Sequence, residues 1–319
     1  MERFLLKLAC YCLIVAVITG LVNAAYIHYL APENKNDNKF LSVPNEIEIC
    51  NFGNSHSEHA FNYEKESEQY NCFNFALSSQ SLSYDLRLLQ YYRDKLKPDG
   101  IAFFGLSFSS VFGFDETMST DFESKNQRYY SFLPEEYIKA YDAQTAFYLE
   151  KFPAFCGNYT LLSSILQLWQ KNTISEKTPE VQDKVFAEEA EAVYNRHLTS
   201  VTDAAGKIVI NESEIDALYE MIAICRDIGV TPILFTPPYS KEYIDLFYER
   251  RPDLLQAFRG VVDEICKEAS IPYYDYSEDA RFSKMRSLFY DPDHLNSDGG
   301  MLFTEIVMDE VVAPLLAQP

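Results

Sequence analysis

The chain has 319 residues, ordinary apolar and charged fractions for a globular protein, and a formal net charge of -21. That charge argues against polyanion binding, nucleic acid above all, as a main role, because phosphates would meet repulsion instead of releasing counterions. The length suits a membrane anchor plus one large domain. The seven cysteines (Cys10, Cys12, Cys50, Cys72, Cys156, Cys225 and Cys266) contain no C-x-x-C pair. Free thiols are therefore expected in place of a zinc motif or a disulfide framework.

In chain order, Arg3 and Lys7 precede an almost uninterrupted apolar run, Leu8–Leu30. About 20 such residues cross a bilayer as a helix. The basic side keeps the N-terminus in the cytoplasm and exports the rest. Two readings compete for residues 1–30: a retained anchor, which the length favours, and a signal peptide cut near Val22-Asn23-Ala24. Residues 31–44 read as a linker, with Pro32–Asn38 polar and aperiodic. A domain is expected over 45–316.

Ile47–Phe52 alternates and then runs apolar, the pattern of a short buried strand. Gly53 permits a tight turn, Asn54 and Ser55 leave the strand, and Ser57–Ala60 opens a helix. Tyr70–Leu77 reads as a second strand, Ser78–Ser81 as a turn or N-cap, and Leu82–Leu96 as a helix stopped by Lys97-Pro98-Asp99-Gly100. Ile101–Phe108 is apolar enough for a strand buried on both faces. From about 112 to 210 the rhythm breaks, and helices are expected over Pro134–Lys151, Leu161–Lys171 and Pro179–Leu198. This stretch reads as an insertion capping the sheet. Then come helix Ile215–Ile228, strand Thr231–Phe235, a loop at Pro237-Pro238, and helices Lys241–Glu249 and Pro252–Ala269. Strand Ile271–Tyr276 and a closing helix within Asn296–Leu316 complete the chain. The alternation predicts a three-layer α/β/α sandwich around a mostly parallel, five-stranded sheet of flavodoxin-like type, with its site at the strands' carboxyl ends.

The chemistry concentrates at two distant stretches. Ser55 stands at the exit of the first strand. The C-terminal stretch reads F-Y-D-P-D-H-L-N-S-D-G-G from Phe289 to Gly300. A histidine three residues after an aspartate can have its ring oriented by that carboxylate, freeing the far nitrogen to activate a hydroxyl. Asp291 is preferred over Asp293 as the orienting group, since the side chain of Asp293 is expected to point away from its neighbour's ring. His56 and His59 could suggest a metal pair, but such pairs without further ligands are ordinarily surface or core residues. His197 reads as structural, and no metal or cofactor is expected.

G-N-S near the start of the domain with D-x-x-H near its end resembles the SGNH (GDSL-like) hydrolase superfamily. More narrowly it resembles the membrane-anchored extracytoplasmic branch related to DltD and alginate-acetylation proteins. The resemblance implies Ser55 as nucleophile, His294 as general base and Asp291 as orienter. It places oxyanion or binding contributions at Asn54, Ser79 and Ser109. The second family block lacks its glycine at Leu77–Ser81, leaving the backbone N–H of Ser79 as the donor. The third block, G-x-N-D, is missing, so the oxyanion side chain is Ser109, or comes from the insertion, or does not exist. The implied activity is that of a serine esterase or O-acyltransferase acting on acetyl or D-alanyl esters of a cell-envelope glycan or teichoic acid. The bilayer and a membrane O-acyltransferase are the expected partners. The alternative is a non-catalytic member of an acyl-transfer assembly.

Overall fold

The computed structural model describes residues 1–29, 36–114, 125–156, 160–162, 165–166 and 179–317. The chain divides into two compact units, Met1–Ser42 with Thr120–Glu176, and Val43–Ser119 with Lys177–Pro319.

The larger unit is α/β. Its strands are β1 (Ile47–Phe52), β2 (Cys72–Asn74), β3 (Leu96–Gly105), β4 (Thr231–Thr236) and β5 (Tyr273–Asp275), in the order β2-β1-β3-β4-β5. Every neighbouring pair is parallel. Parallel strands need crossover connections, and these wind toward opposite edges from β1 and β3. The reversal opens a crevice at the carboxyl ends of those two strands, where such sheets hold their ligands.

Alternation along the strands divides the core. Ile49, Phe103, Ile233 and Phe235 point to one face and join Phe61, Phe303 and Val307. Cys50, Phe52, Phe104 and Leu234 are buried on the opposite face. There Phe52 stacks on Phe75 at 4.8 Å. Burying one phenylalanine of this kind contributes roughly 2–3 kcal/mol. All seven cysteines are free, with Cys50 and Cys225 in the core.

Several boundaries differ from expectation for identifiable reasons. β3 begins at Leu96, before Pro98, because the register shifts between Ile47 and Ile49 and a bulge takes up the extra residues. Asp99 occupies a left-handed conformation there, and its N–H donates to Gly229 O at 2.8 Å. Strand β2 ends at Asn74, whose side chain turns back to donate to the carbonyls of Glu58 and Phe61 at 3.0 and 3.1 Å. The stretch expected as one helix over Pro134–Lys151 is broken. Ala140 has a φ of 50°, and Asp142 restarts a helix at Ala143–Lys151 by accepting the Thr145 N–H at 2.6 Å. Most of the helix expected at Leu161–Lys171 lies outside the described residues. In the smaller unit, Asn36–Ser42 forms a 3-10 helix within the expected linker, and Phe40 stacks on Phe132 at 4.2 Å.

In the larger unit the helices that matter for the site are α2 (Ser55–Ala60), α3 (Leu82–Tyr92), α5 (Pro179–Val201), α6 (Glu212–Asp227), α7 (Lys241–Arg250), α8 (Pro252–Ala269) and, after the short helix α9 (Ala280–Ser283), α10 (Ser297–Val307); α1 (Glu2–Tyr29) and α4 (Ala143–Lys151) belong to the smaller unit. The pairing of Phe112 with Ile210 closes the inserted stretch at its base. Of that stretch, only Thr120–Glu176 joins the smaller unit, while α5 stays with the sheet.

The last helix explains the glycines of the C-terminal motif. Asn296 caps α10 by accepting the Gly299 N–H at 3.0 Å. A Cβ at Gly299 would stand 2.2 Å from Leu288 O, and one at Gly300 would stand 2.8 Å from His59 O. Gly300 therefore lets α10 lie directly against the backbone of α2, and Gly299 lets it lie against the turn at Leu288. Thr304 accepts the Asn62 N–H at 2.9 Å and completes the contact. Gly299→Ala should destabilise the protein by about 3 kcal/mol, because the clash is with main chain that cannot rotate away. Urea denaturation checks this, and a loss below ~0.5 kcal/mol would contradict the packing account.

Candidate active site

The turn from β1 into α2 is held by its surroundings. Gly53 has a φ of 131° and leaves no room for a side chain beside Gly105 O and Ser57 Cβ, both 2.8 Å from where its Cβ would be. Its N–H donates to the buried Asp85 at 2.9 Å, and Gln80 donates to the same carboxyl oxygen at 2.6 Å. Burial pushes the Asp85 carboxyl up to about 8, against the pull of these donors. Asn54 caps α2, its side-chain oxygen accepting the His56 N–H at 3.1 Å. Ser55 is then the first residue of the helix.

At the other end of the chain, β6 (Phe289–Asp291) and β7 (His294–Leu295) form a two-residue hairpin over Pro292-Asp293. Asp291 Oδ1 accepts the N–H groups of Asp293 and His294 at 3.2 and 2.9 Å, an Asx turn that shapes the loop. Ser240, which follows β4, donates its hydroxyl to Pro292 O at 2.6 Å and pins the hairpin tip.

These two segments meet. His294 Nε2 is 2.8 Å from Ser55 Oγ. Its Nδ1 is 2.8 and 3.0 Å from the two oxygens of Asp291. Asp293 does not point away from the ring, because the tight hairpin turns its carboxylate inward, and Oδ1 lies 3.3 Å from His294 Nδ1. Its other oxygen is 2.9 Å from His56 Nε2 and 3.8 Å from His197 Nε2.

Two histidines outside the expected set therefore belong to the site. His56 lies parallel to His294, ring centroids 4.7 Å apart. Its Nδ1 faces Asn54 Oδ1 at 3.1 Å. That oxygen is identified as the carbonyl because it also accepts a backbone N–H, while the Asn54 amide donates to Ser107 Oγ at 2.9 Å. A carbonyl and a carboxylate both only accept, so His56 satisfies both neighbours only when both ring nitrogens carry protons. His197 comes from α5, and its Nδ1 contacts Tyr243 Oη at 2.6 Å. The donor atoms of His56, His197 and Asp293 lie within 4.8 Å of one another, as do those of Asp291, Asp293 and His294, whereas the pair suggested by sequence, His56 with His59, is not such a set among the described residues.

Burial works against protonation of His294, but the hydrogen bonds and charges of Asp291 and Asp293 outweigh it and push the imidazole up to about 9. Burial would raise Asp293, yet its hydrogen bonds to His294 and His56 hold it well below the usual carboxylate range. His56 and His59 are lowered, chiefly by burial. His197 falls to about 3, from burial first and then its imidazole neighbour His56.

The residues expected around an oxyanion are placed differently from one another. Ser79 is exposed and has a φ of 57°, the conformation that glycine adopts most easily. Neighbouring Ser78 donates to Glu58 of α2 at 2.8 Å. Asn54 is engaged by the fold at both ends of its amide, and Ser109 joins Ser107 at 3.1 Å. Ser107, buried and shared by Asn54, Ser109 and Ser110, was not singled out by the sequence reading. Neither were the roles of His56 and Asp293. The only sequence hint was the adjacency of His56 to Ser55.

No family model and no curated protein matches the chain. Among solved structures it is similar to a Bacteroides fragilis protein described as a "putative acylhydrolase", at 10% identity and a TM-score of 0.40, with 90% of this chain and 98% of that chain covered. It is also similar to a Streptococcus pneumonia protein described as a "putative platelet activating factor", at 11% identity and a TM-score of 0.38, with 95% and 98% covered. Likeness this distant says nothing about activity, and the chemistry is read from the site's own atoms.

The His294 ring should titrate near 9, and Asp293→Asn should bring it down by about one unit, as removal of an adjacent negative charge requires. Because the folded value lies above the unfolded one of 6.5, this ring stabilises the fold fully below 6.5 and loses that contribution as pH rises through about 9. NMR of the ring protons checks both statements, and an unchanged midpoint in the variant would exclude Asp293 as a partner.

Proposed function

We propose that the protein is a serine esterase or O-acyltransferase. The observation that carries this reading is the continuous contact from Ser55 Oγ through His294 to Asp291, at 2.8 Å on each side of the ring. Ser55 Oγ attacks an acyl carbonyl while His294 Nε2 takes its proton. Asp291 holds the ring by Nδ1 and stabilises the imidazolium. Asp293, kept ionised by His56, adds a second negative charge beside the same ring. The tetrahedral oxyanion is met by the backbone N–H groups of Ser55 and Ser79. Its collapse expels the alcohol, protonated by His294, and leaves an acyl-enzyme. Water then completes hydrolysis, or a hydroxyl acceptor completes transfer.

The substrate proposed is an O-acetyl or D-alanyl ester on a cell-envelope glycan or teichoic acid. The family resemblance supports the acyl chemistry. An extracytoplasmic, membrane-attached placement is supported by the N-terminal helix Glu2–Tyr29, which is long and apolar enough to cross a bilayer. The oxyanion is assigned backbone donors because the G-x-N-D block that would supply a side-chain donor is missing, and the loss of one such donor costs about 10²–10³ in rate. The missing block also favours a second reading, a weakly catalytic partner of a membrane acyltransferase. Ser55→Ala that still restores polymer acylation in a deletion strain would select it.

Ser55→Ala should lower aryl acetate turnover by at least about 10⁴-fold and abolish fluorophosphonate labelling. Equal labelling of the variant would remove Ser55 from the mechanism. Since the base works unprotonated, kcat/KM should climb with pH and level off above about 9. A profile already flat at neutral pH would contradict the electrostatics of the site.

A further inference from the structure

The smaller unit contains both the N-terminal helix α1 (Glu2–Tyr29) and the segment around α4 (Ala143–Lys151). Asn23 interrupts the apolar run of α1 and is 8% exposed. Its Nδ2 donates to Lys151 O at 2.7 Å, and its Oδ1 accepts the Ala154 N–H at 3.2 Å. A polar side chain inside an apolar span needs such partners, because hydrocarbon supplies none. Here the partners are backbone groups where α4 ends, one of the places a helix leaves them unpaired.

This contact fixes the level of α4 along α1. Asn23 lies six residues before Tyr29, about 9 Å along the helix axis. Tyr29, which is exposed, is a residue of the kind that marks a membrane–water boundary, while Tyr26 is buried. Around this contact the segment exposes a run of aromatics: Phe147 at 52%, Tyr148 at 44%, Phe152 at 39% and Phe155 at 48%. Leu162 is exposed as well. A surface that faces water seldom gathers so many large apolar groups.

We propose that Phe147, Tyr148, Phe152 and Phe155 form a shelf that enters the interfacial layer of a lipid bilayer, held at that depth by the bonds of Asn23. The occupant is lipid, because the shelf is bonded to the one element among the described residues that is long and apolar enough to cross a membrane. The inference rests on α1 being inserted, and it is independent of the chemistry at Ser55.

The test uses the full chain in lipid nanodiscs, with its single tryptophan, Trp169, changed to Phe. New tryptophans report depth through quenching by brominated lipids: Phe152→Trp on the shelf and Leu13→Trp within α1. Bromines near the headgroups should quench the shelf tryptophan by about twofold, and more than bromines near the chain ends. Leu13→Trp should show the opposite order. Adding Asn23→Leu should reduce the shelf signal and leave the α1 signal unchanged. Quenching at position 13 without quenching at 152 overturns the shelf while α1 stays inserted. No quenching at either position overturns it by removing the bilayer.

Discussion

The close approach of α10 to α2 is the constraint on which the site depends. Gly300 removes the side chain that would hold the helices apart, and Asn62 and Thr304 bond across the gap. One helix begins at Ser55 and the other follows directly on His294, so their docking converts two ends of the chain into one hydrogen bond of 2.8 Å. Catalytic geometry tolerates errors of only about half an ångström. Backbone-to-backbone packing is the means by which such tolerance is met, since main chain cannot relax as a side chain can.

The electrostatics follow from crowding ionisable groups into a half-buried crevice. Two carboxylates face one nitrogen of His294. An unpaired buried charge is costly, and Asp293 is almost fully buried. His56 answers that cost with a hydrogen bond of 2.9 Å, and Asn54 fixes the far side of the His56 ring. The network runs from Ser107 through Asn54 and His56 to Asp293 and so to the base. It ties the exit of β3 to the C-terminal hairpin. Burial lowers the neighbouring imidazoles, His56 against its two acceptors, while the carboxylates raise His294, so protons are drawn toward the ring that touches the serine.

The smaller unit obeys a different solvent logic. Its long helix is apolar without a strong preference for one face, and the polar group inside it, Asn23, is closed off by main-chain partners. Phe147, Tyr148, Phe152 and Phe155 stand exposed in the same unit. The larger unit does the reverse. It buries phenylalanines on both faces of the sheet and leaves a strongly acidic chain well hydrated.

The apolar run of the N-terminus, the alternating strands and helices, and the parallel sheet were all legible in the sequence, because each is a local pattern of side-chain polarity. The serine after the first strand and the D-x-x-H stretch were legible as chemistry for the same reason. Strand ends were less so: the bulge that starts β3 early and the inward turn of Asn74 depend on neighbours far along the chain. The break at Ala140 is a local conformation that alanine does not announce. Only the tertiary structure brought Asp293, His56 and His197 together, since they lie on three separate elements and no spacing relates them. It also turned Asp293 toward the ring, because a two-residue hairpin pinned by Ser240 leaves its side chain nowhere else to go. Local polarity determines which elements form; contacts between elements distant in sequence decide which side chains share a proton.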